Sequence, residues 1–110
     1  MADTNTQRRV ENWLRDKWLP KQFGQAFRPK ALVLKPGGTF DFDAVSTDGN
    51  IVVNISTSSG ITMGGKYPSA KMQKLRADML FLLMTNTQHR IILLTEKDML
   101  NLCLQEKENG

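Results

Sequence analysis

The dipeptide Asp48-Gly49, set between two runs of alternating apolar and polar residues, constrains the fold of this chain most strongly. Asp-Gly in that setting is typical of a two-residue β-hairpin turn of type I′, because both central residues of that turn need positive φ. The predicted register places Val45 opposite Val52. Since side chains alternate along a strand, it also predicts a polar patch on the same sheet face, made of the pairs Asp43–Asn54 and Asp41–Ser56. The opposite face is predicted to be core, formed by Phe40, Phe42, Ala44, Ile51, Val53 and Ile55.

Helices and further strands are predicted around this hairpin from apolar periodicity and from breaker residues. The predicted elements are a helix over 6–19, a strand over 31–35, the hairpin, a helix over 69–84, a strand over 90–94 and a helix from about 95 to 105. Pro20 is predicted to stop the first helix, with Trp13 in its apolar stripe, and Ser69 to cap the second. Thr95 and Asp98 resemble a capping box. The strand over 90–94 is almost wholly apolar, which predicts a central, doubly covered position.

Length and composition are those of one small soluble domain. The 110 residues suit a single domain over 1–110, with 1–5 and 106–110 expected to be flexible. A core of this size is thin, so we expect homodimerisation through the first or last helix. The formal net charge of +4 is compatible with a polyanionic partner, DNA or RNA.

The counts of cysteine and histidine and the length of the apolar runs argue against a disulfide, a zinc site and a membrane span. The single Cys103 rules out a disulfide within the chain, and together with the single His89 it argues against a zinc site. No run reaches the roughly 18 apolar residues that a membrane span needs, and the start has no apolar signal core. We therefore expect a cytoplasmic protein without membrane contact.

The order of elements, with Asp43 on the middle strand and the polar pair Asn54 and Ser56 on the next, resembles the PD-(D/E)XK nuclease superfamily across residues 13–94. The resemblance implies an α/β restriction-endonuclease-like core, of α-β-β-β-α-β order, with a mixed four-stranded sheet flanked by helices. In that family, acids on the second and third strands bind Mg²⁺, and a lysine two residues later activates water. Asp43 matches the first acid, while Asn54 stands in place of the second acid and Ser56 in place of the lysine. Glu11 matches an extra acid that some members carry on the first helix.

These departures imply a nuclease-like domain that is catalytically impaired or inactive, and that binds nucleic acid or serves as a structural module. One alternative is a Mg²⁺-dependent endonuclease, in which Asp41 or Glu11 joins Asp43 as metal ligand and Lys66 or Lys71 supplies the ammonium. Others are a protein-interaction domain and a plain solvated sheet face. No cofactor is predicted unless the site is active. The predicted nucleic-acid contacts are the basic residues Arg8, Arg9, Lys66, Lys71, Lys74, Arg76 and Arg90.

Overall fold

The computed structural model describes residues 4–57 and 68–109, and it has the predicted α/β architecture and element order. The N-terminal helical segment consists of α1 (Thr4–Trp13), a π-helical turn (Leu14–Trp18) and α2 (Leu19–Phe23). It is followed by β1 (Phe27–Val33), β2 (Thr39–Ser46), β3 (Ile51–Ser56), α3 (Ser69–Leu83), β4 (His89–Leu94) and α4 (Lys97–Asn109). The sheet order is β1-β2-β3-β4, with β3 and β4 parallel and the other neighbours antiparallel. The sheet is therefore mixed and four-stranded, as predicted.

Pro20 does not end the first helix, so that prediction was wrong. Within the π-helical turn the N–H of Leu19 bonds to the carbonyl of Leu14, five residues earlier. Pro20 then falls in the first turn of α2, where a missing N–H costs little. The helix ends instead at Gly24, which has a φ of 70° and donates its N–H to the Pro20 carbonyl at 2.8 Å.

A β-bulge on β2 shifts its alternation of side chains. Arg28 pairs with Val45 and Lys30 with Phe42, so two residues of β2, Asp43 and Ala44, lie opposite the single Pro29 of β1. Proline has no N–H for the ladder, and it is tolerated in an edge strand or at a bulge, both of which apply here. The bulge is the reason why Phe40 and Phe42 do not share a face with Ala44.

Helices cover both faces of the sheet, as the predicted fold requires, so the alternative of a plain solvated face does not hold for β2 and β3. On one face, Leu14 and Leu19 of the N-terminal helical segment pack on Ala44, Ile51, Val53 and Ile55. On the other face, Leu82 of α3 packs on Phe42, Val45 and Val52. Val45 and Val52 are thus buried core residues, although the polar patch at Asp43 and Asn54 lies on the same two strands.

The β2–β3 hairpin has the predicted register, with Val45 opposite Val52, but not the predicted turn type. Among the described residues only glycines have positive φ, so Asp48 does not have the geometry of a type I′ turn, while Gly49 has a φ of 76°. The Asp48 carboxylate accepts hydrogen bonds from the Ser46 hydroxyl at 2.6 Å and from the Asn50 N–H at 2.9 Å. These bonds, that from Ser46 first, lower the pKa of Asp48 below its ordinary value.

Three smaller expectations also need correction. β4 is an edge strand with half-buried Ile91 to Leu94, not a central strand. The Thr95 hydroxyl donates to the Ser56 carbonyl at 3.3 Å, and α4 begins two residues later than predicted. Pro68 occupies the N-cap position of α3, which moves Ser69 into its first turn.

In the described part of the chain, no helix is long and apolar enough to cross a membrane.

Candidate functional site

Strands β2 and β3 separate at Asp43, and side chains replace their backbone ladder there. Backbone pairing joins Ala44 to Val53 and Val45 to Val52. Just beyond, Asp43 Oδ2 accepts the N–H of Ile55 at 2.8 Å, and the Asn54 amide oxygen accepts the N–H of Asp43 at 3.4 Å. Asp43 and Asn54 are therefore neighbours, as the sequence predicts, and each satisfies a backbone group of the opposite strand.

A polar pocket of about 160 Å³ lies at this end of the sheet. Its lining comes from the first helix, the end of β3 and α3, and consists of Gln7, Glu11, Ile55, Ser56, Thr57, Lys71, Lys74, Leu75 and Asp78. The first helix and α3 pack on opposite faces of the sheet, so the pocket reaches both helical layers where β2 has left β3. It also lies at the carboxyl end of β3, beside its parallel neighbour β4, which is where α/β sheets usually bind ligands.

Two of the charged residues that line the pocket, Glu11 and Asp78, are carboxylates with raised pKa values. Partial burial raises the pKa of Glu11, and the nearby charge of Asp43 raises it further. Burial and the Asp43 charge likewise raise the pKa of Asp78, while Lys74 opposes both shifts. Arg8 and Arg15 also act on Glu11, in the same sense as Lys74. The pocket therefore has two acids, each repelled by the nearby Asp43, beside the lysines of α3 and within reach of cations on α1 and the π-helical turn.

The described residues do not fit the metal site that the resemblance implies. They contain no group of three or more His, Cys, Asp or Glu side chains placed to hold a metal ion. Asn54 is buried, its oxygen is turned to the Asp43 backbone, and its Nδ2 donor has no hydrogen-bond partner in the described part of the chain. Asp41 is exposed and lies opposite Ala31 on the outer strand β1. Asp43 thus acts first as a strand-bridging acceptor.

The predicted lysines and arginines are divided between two ends of the molecule. Lys71 and Lys74 line the pocket, and Arg8 lies close enough to act on Glu11. Arg9 and Arg76 are exposed on α1 and α3. Arg90 is at the opposite end of the sheet, because β4 begins there, and it donates to the Thr85 carbonyl at 2.8 Å. Lys66 lies outside the described residues.

Three polar lining residues were missed by the sequence interpretation: Gln7, Thr57 and Asp78. Asp78 had a recognisable signal, since it lies three residues after Leu75 and four before Leu82, within the buried stripe of α3. A carboxylate in such a stripe is unusual unless it faces a polar pocket. Gln7 and Thr57 gave no comparable signal.

Searches against protein-family models, curated proteins and solved structures found no match to this chain.

Proposed function

We propose that this chain is a nuclease-like domain that binds nucleic acid through its phosphates, at the rim of the pocket, without cutting it. The observation that supports this most is the position of Lys71 and Lys74, one helical turn apart on α3, at the carboxyl end of β3. The Ser56 and Thr57 side chains on the facing strand end add hydroxyl groups to the same rim. The cytoplasmic location expected from the sequence stays a prediction.

The donor set, more than the fold, supports a binding role without hydrolysis. At the position on β3 where the resemblance requires an acid, the chain has the neutral Asn54. The carboxylate of Asp43 already accepts a backbone N–H. Mg²⁺ prefers oxygen ligands in near-octahedral geometry, and the described residues contain no group of three or more His, Cys, Asp or Glu side chains placed to hold an ion.

Affinity is expected to be modest and strongly dependent on salt. Lysines that neutralise phosphates release condensed counterions, so log K falls linearly with log salt concentration, by roughly 0.9 for each phosphate contact on duplex DNA. Glu11 and Asp78 lie under the same rim and repel phosphate. Binding should therefore tighten at mildly acidic pH, since the raised pKa values let these two acids take up protons above their ordinary range.

The test is fluorescence anisotropy with short labelled duplex DNA, single-stranded DNA and RNA over a salt series. Lys74→Ala is expected to weaken binding and to reduce the magnitude of the salt slope by about 1. Lys21→Ala is the matched control, because Lys21 is exposed on α2, beside Gly24 and away from the pocket. Absence of binding at low salt, or an equal loss in both variants, would refute the proposal and favour a protein-interaction role.

A further inference from the structure

The two outer strands of the sheet differ in how they are protected from pairing with another chain. Exposed strand edges invite such pairing, and natural proteins block them with prolines, lysines, bulges or cover. β1 has Pro29, Lys30 and the bulge on its partner strand. β4 has the sequence His-Arg-Ile-Ile-Leu-Leu, without proline, glycine, lysine or a recorded bulge. The sequence therefore protects the β1 edge of the sheet from pairing with another chain, but not the β4 edge.

The hydrogen-bonding groups on the free side of β4 can be assigned from its pairing with β3. The His89 N–H bonds to the Asn50 carbonyl at 2.9 Å, and the Thr95 N–H bonds to the Ser56 carbonyl at 3.1 Å. Because strand geometry alternates with a period of two, the odd-numbered residues face β3 and the even-numbered ones face outward. Arg90, Ile92 and Leu94 thus present their N–H and carbonyl groups at an edge that pairs with no strand of the described part of the chain.

We propose that a second copy of this chain pairs with this edge, β4 against β4, antiparallel about a two-fold axis at Ile92. This register places Arg90 of one copy opposite Leu94 of its partner, and all three outward pairs exchange backbone hydrogen bonds. The two sheets then form one continuous sheet across the dimer.

Charge favours a second copy over an unrelated strand. The basic Arg90 is the second residue of β4, and the acidic, exposed Glu96 lies two residues beyond the end of the strand. Continuing the antiparallel register two residues past Leu94 brings Glu96 of the partner diagonally across from Arg90, twice in the dimer. Within one chain these residues are six positions apart, roughly 20 Å along an extended strand, so they cannot pair with each other.

Apolar surface beside the edge supplies area that a strand pair alone lacks. A stable dimer buries roughly 1,200–2,000 Å² in total, more than six strand residues provide. α4 packs over β4 through Met99 and Leu102, and it exposes 44% of Leu100 and 49% of Leu104. Burial of these leucines between the two copies completes the interface. The pairing is independent of the nucleic-acid proposal.

The test is a charge exchange measured by sedimentation velocity over a micromolar concentration series. Arg90→Glu and Glu96→Arg each place two pairs of like charges across the interface, and each is expected to weaken dimerisation by about tenfold. An equimolar mixture of the two variants is expected to recover the dimer, because both contacts are then between opposite charges. Arg28→Glu, on the guarded edge, is the control and should leave the dimer unchanged.

Hydrogen exchange reports the strand directly and separates pairing from loss of the Arg90–Thr85 bond. The amides of Arg90, Ile92 and Leu94 are expected to become protected with rising concentration, whereas those of Ile91 and Leu93 are protected throughout by β3. The proposal is overturned by a monomer at every concentration, by a dimer that neither charge variant weakens, or by outward amides that exchange equally fast in monomer and dimer.

Discussion

Asp43 illustrates how one side chain replaces a strand ladder and what its loss would cost. Its Oδ2 is the acceptor for the N–H of the buried Ile55, so Asp43→Ala leaves that donor without its partner. We expect a loss of about 1–3 kcal/mol in the free energy of unfolding, measured by urea denaturation. Asp43→Asn keeps an acceptor and should lose less.

Asp41 provides the control for this prediction, because it lies on the same strand but is exposed. Asp41→Ala should change stability by no more than about 0.5 kcal/mol. Equal effects of the two alanine variants would show that the Asp43–Ile55 bond contributes little.

Glu11 is expected to make stability depend on pH in the opposite sense to a salt-bridged acid. Burial and the Asp43 charge raise its pKa above the ordinary 4.5, so the folded chain binds its proton more tightly than the unfolded chain. The contribution of Glu11 to the free energy of unfolding is therefore complete below pH 4.5 and is lost as pH rises through the folded pKa. Glu11→Gln should stabilise the protein at neutral pH and have no effect in acid, as measured by thermal unfolding. A gain of the same size in acid would contradict this cause.

The residue scale also shows which parts of the site were accessible from sequence. The Asp43–Asn54 contact was predicted because an Asp-Gly turn fixes the hairpin register through Val45 and Val52. The position of Asp78 in the buried stripe of α3 marks it as unusual, but only the tertiary packing of α3 brings its carboxylate to the same pocket. Local turn chemistry predicts pairs, whereas convergence of separate elements depends on the whole fold.

At the scale of elements, the π-helical turn decides which side chains of the first helix reach the core. Its bond between Leu14 and Leu19, five residues apart, brings both onto the face that packs on the sheet. A regular helical stripe instead predicts Trp13 as core, yet 55% of Trp13 is exposed while Leu19 is 1% exposed. Sequence periodicity found the helix but not the insertion that rotates it, because π-turns have no strong local signature.

The contrast between these two positions gives a direct test of the π-helical turn. Leu19→Ala should cost about 2–5 kcal/mol, since it empties a fully buried site, as measured by chemical denaturation. Trp13→Ala removes a larger side chain but should cost less than about 1 kcal/mol. The reverse order would mean that the helix continues as a regular α-helix with Trp13 in the core.

At the scale of the whole molecule, the predicted element order is present, but the described residues do not bring three acids together to bind a metal. Glu11, Asp43 and Asp78 lie on α1, β2 and α3 and are not placed as one metal-ligand group. A ligand that binds only the folded chain stabilises it by about 2.7 kcal/mol at one hundred times its Kd. We therefore expect millimolar Mg²⁺ or Mn²⁺ to leave the unfolding free energy unchanged beyond the general effect of salt.

Catalysis is tested separately, by incubating the protein and Mg²⁺ with a supercoiled plasmid and measuring cleavage. We expect nucleic-acid binding without metal-dependent cleavage, because Asn54 and Ser56 supply neither the negative charge nor the ammonium of a hydrolytic site. Saturable stabilisation by Mg²⁺ that Asp43→Asn abolishes, together with cleavage that the same variant abolishes, would instead establish an enzyme. Since that substitution keeps an acceptor for the Ile55 N–H, a loss of activity there would reflect the missing charge and not a collapsed strand pair.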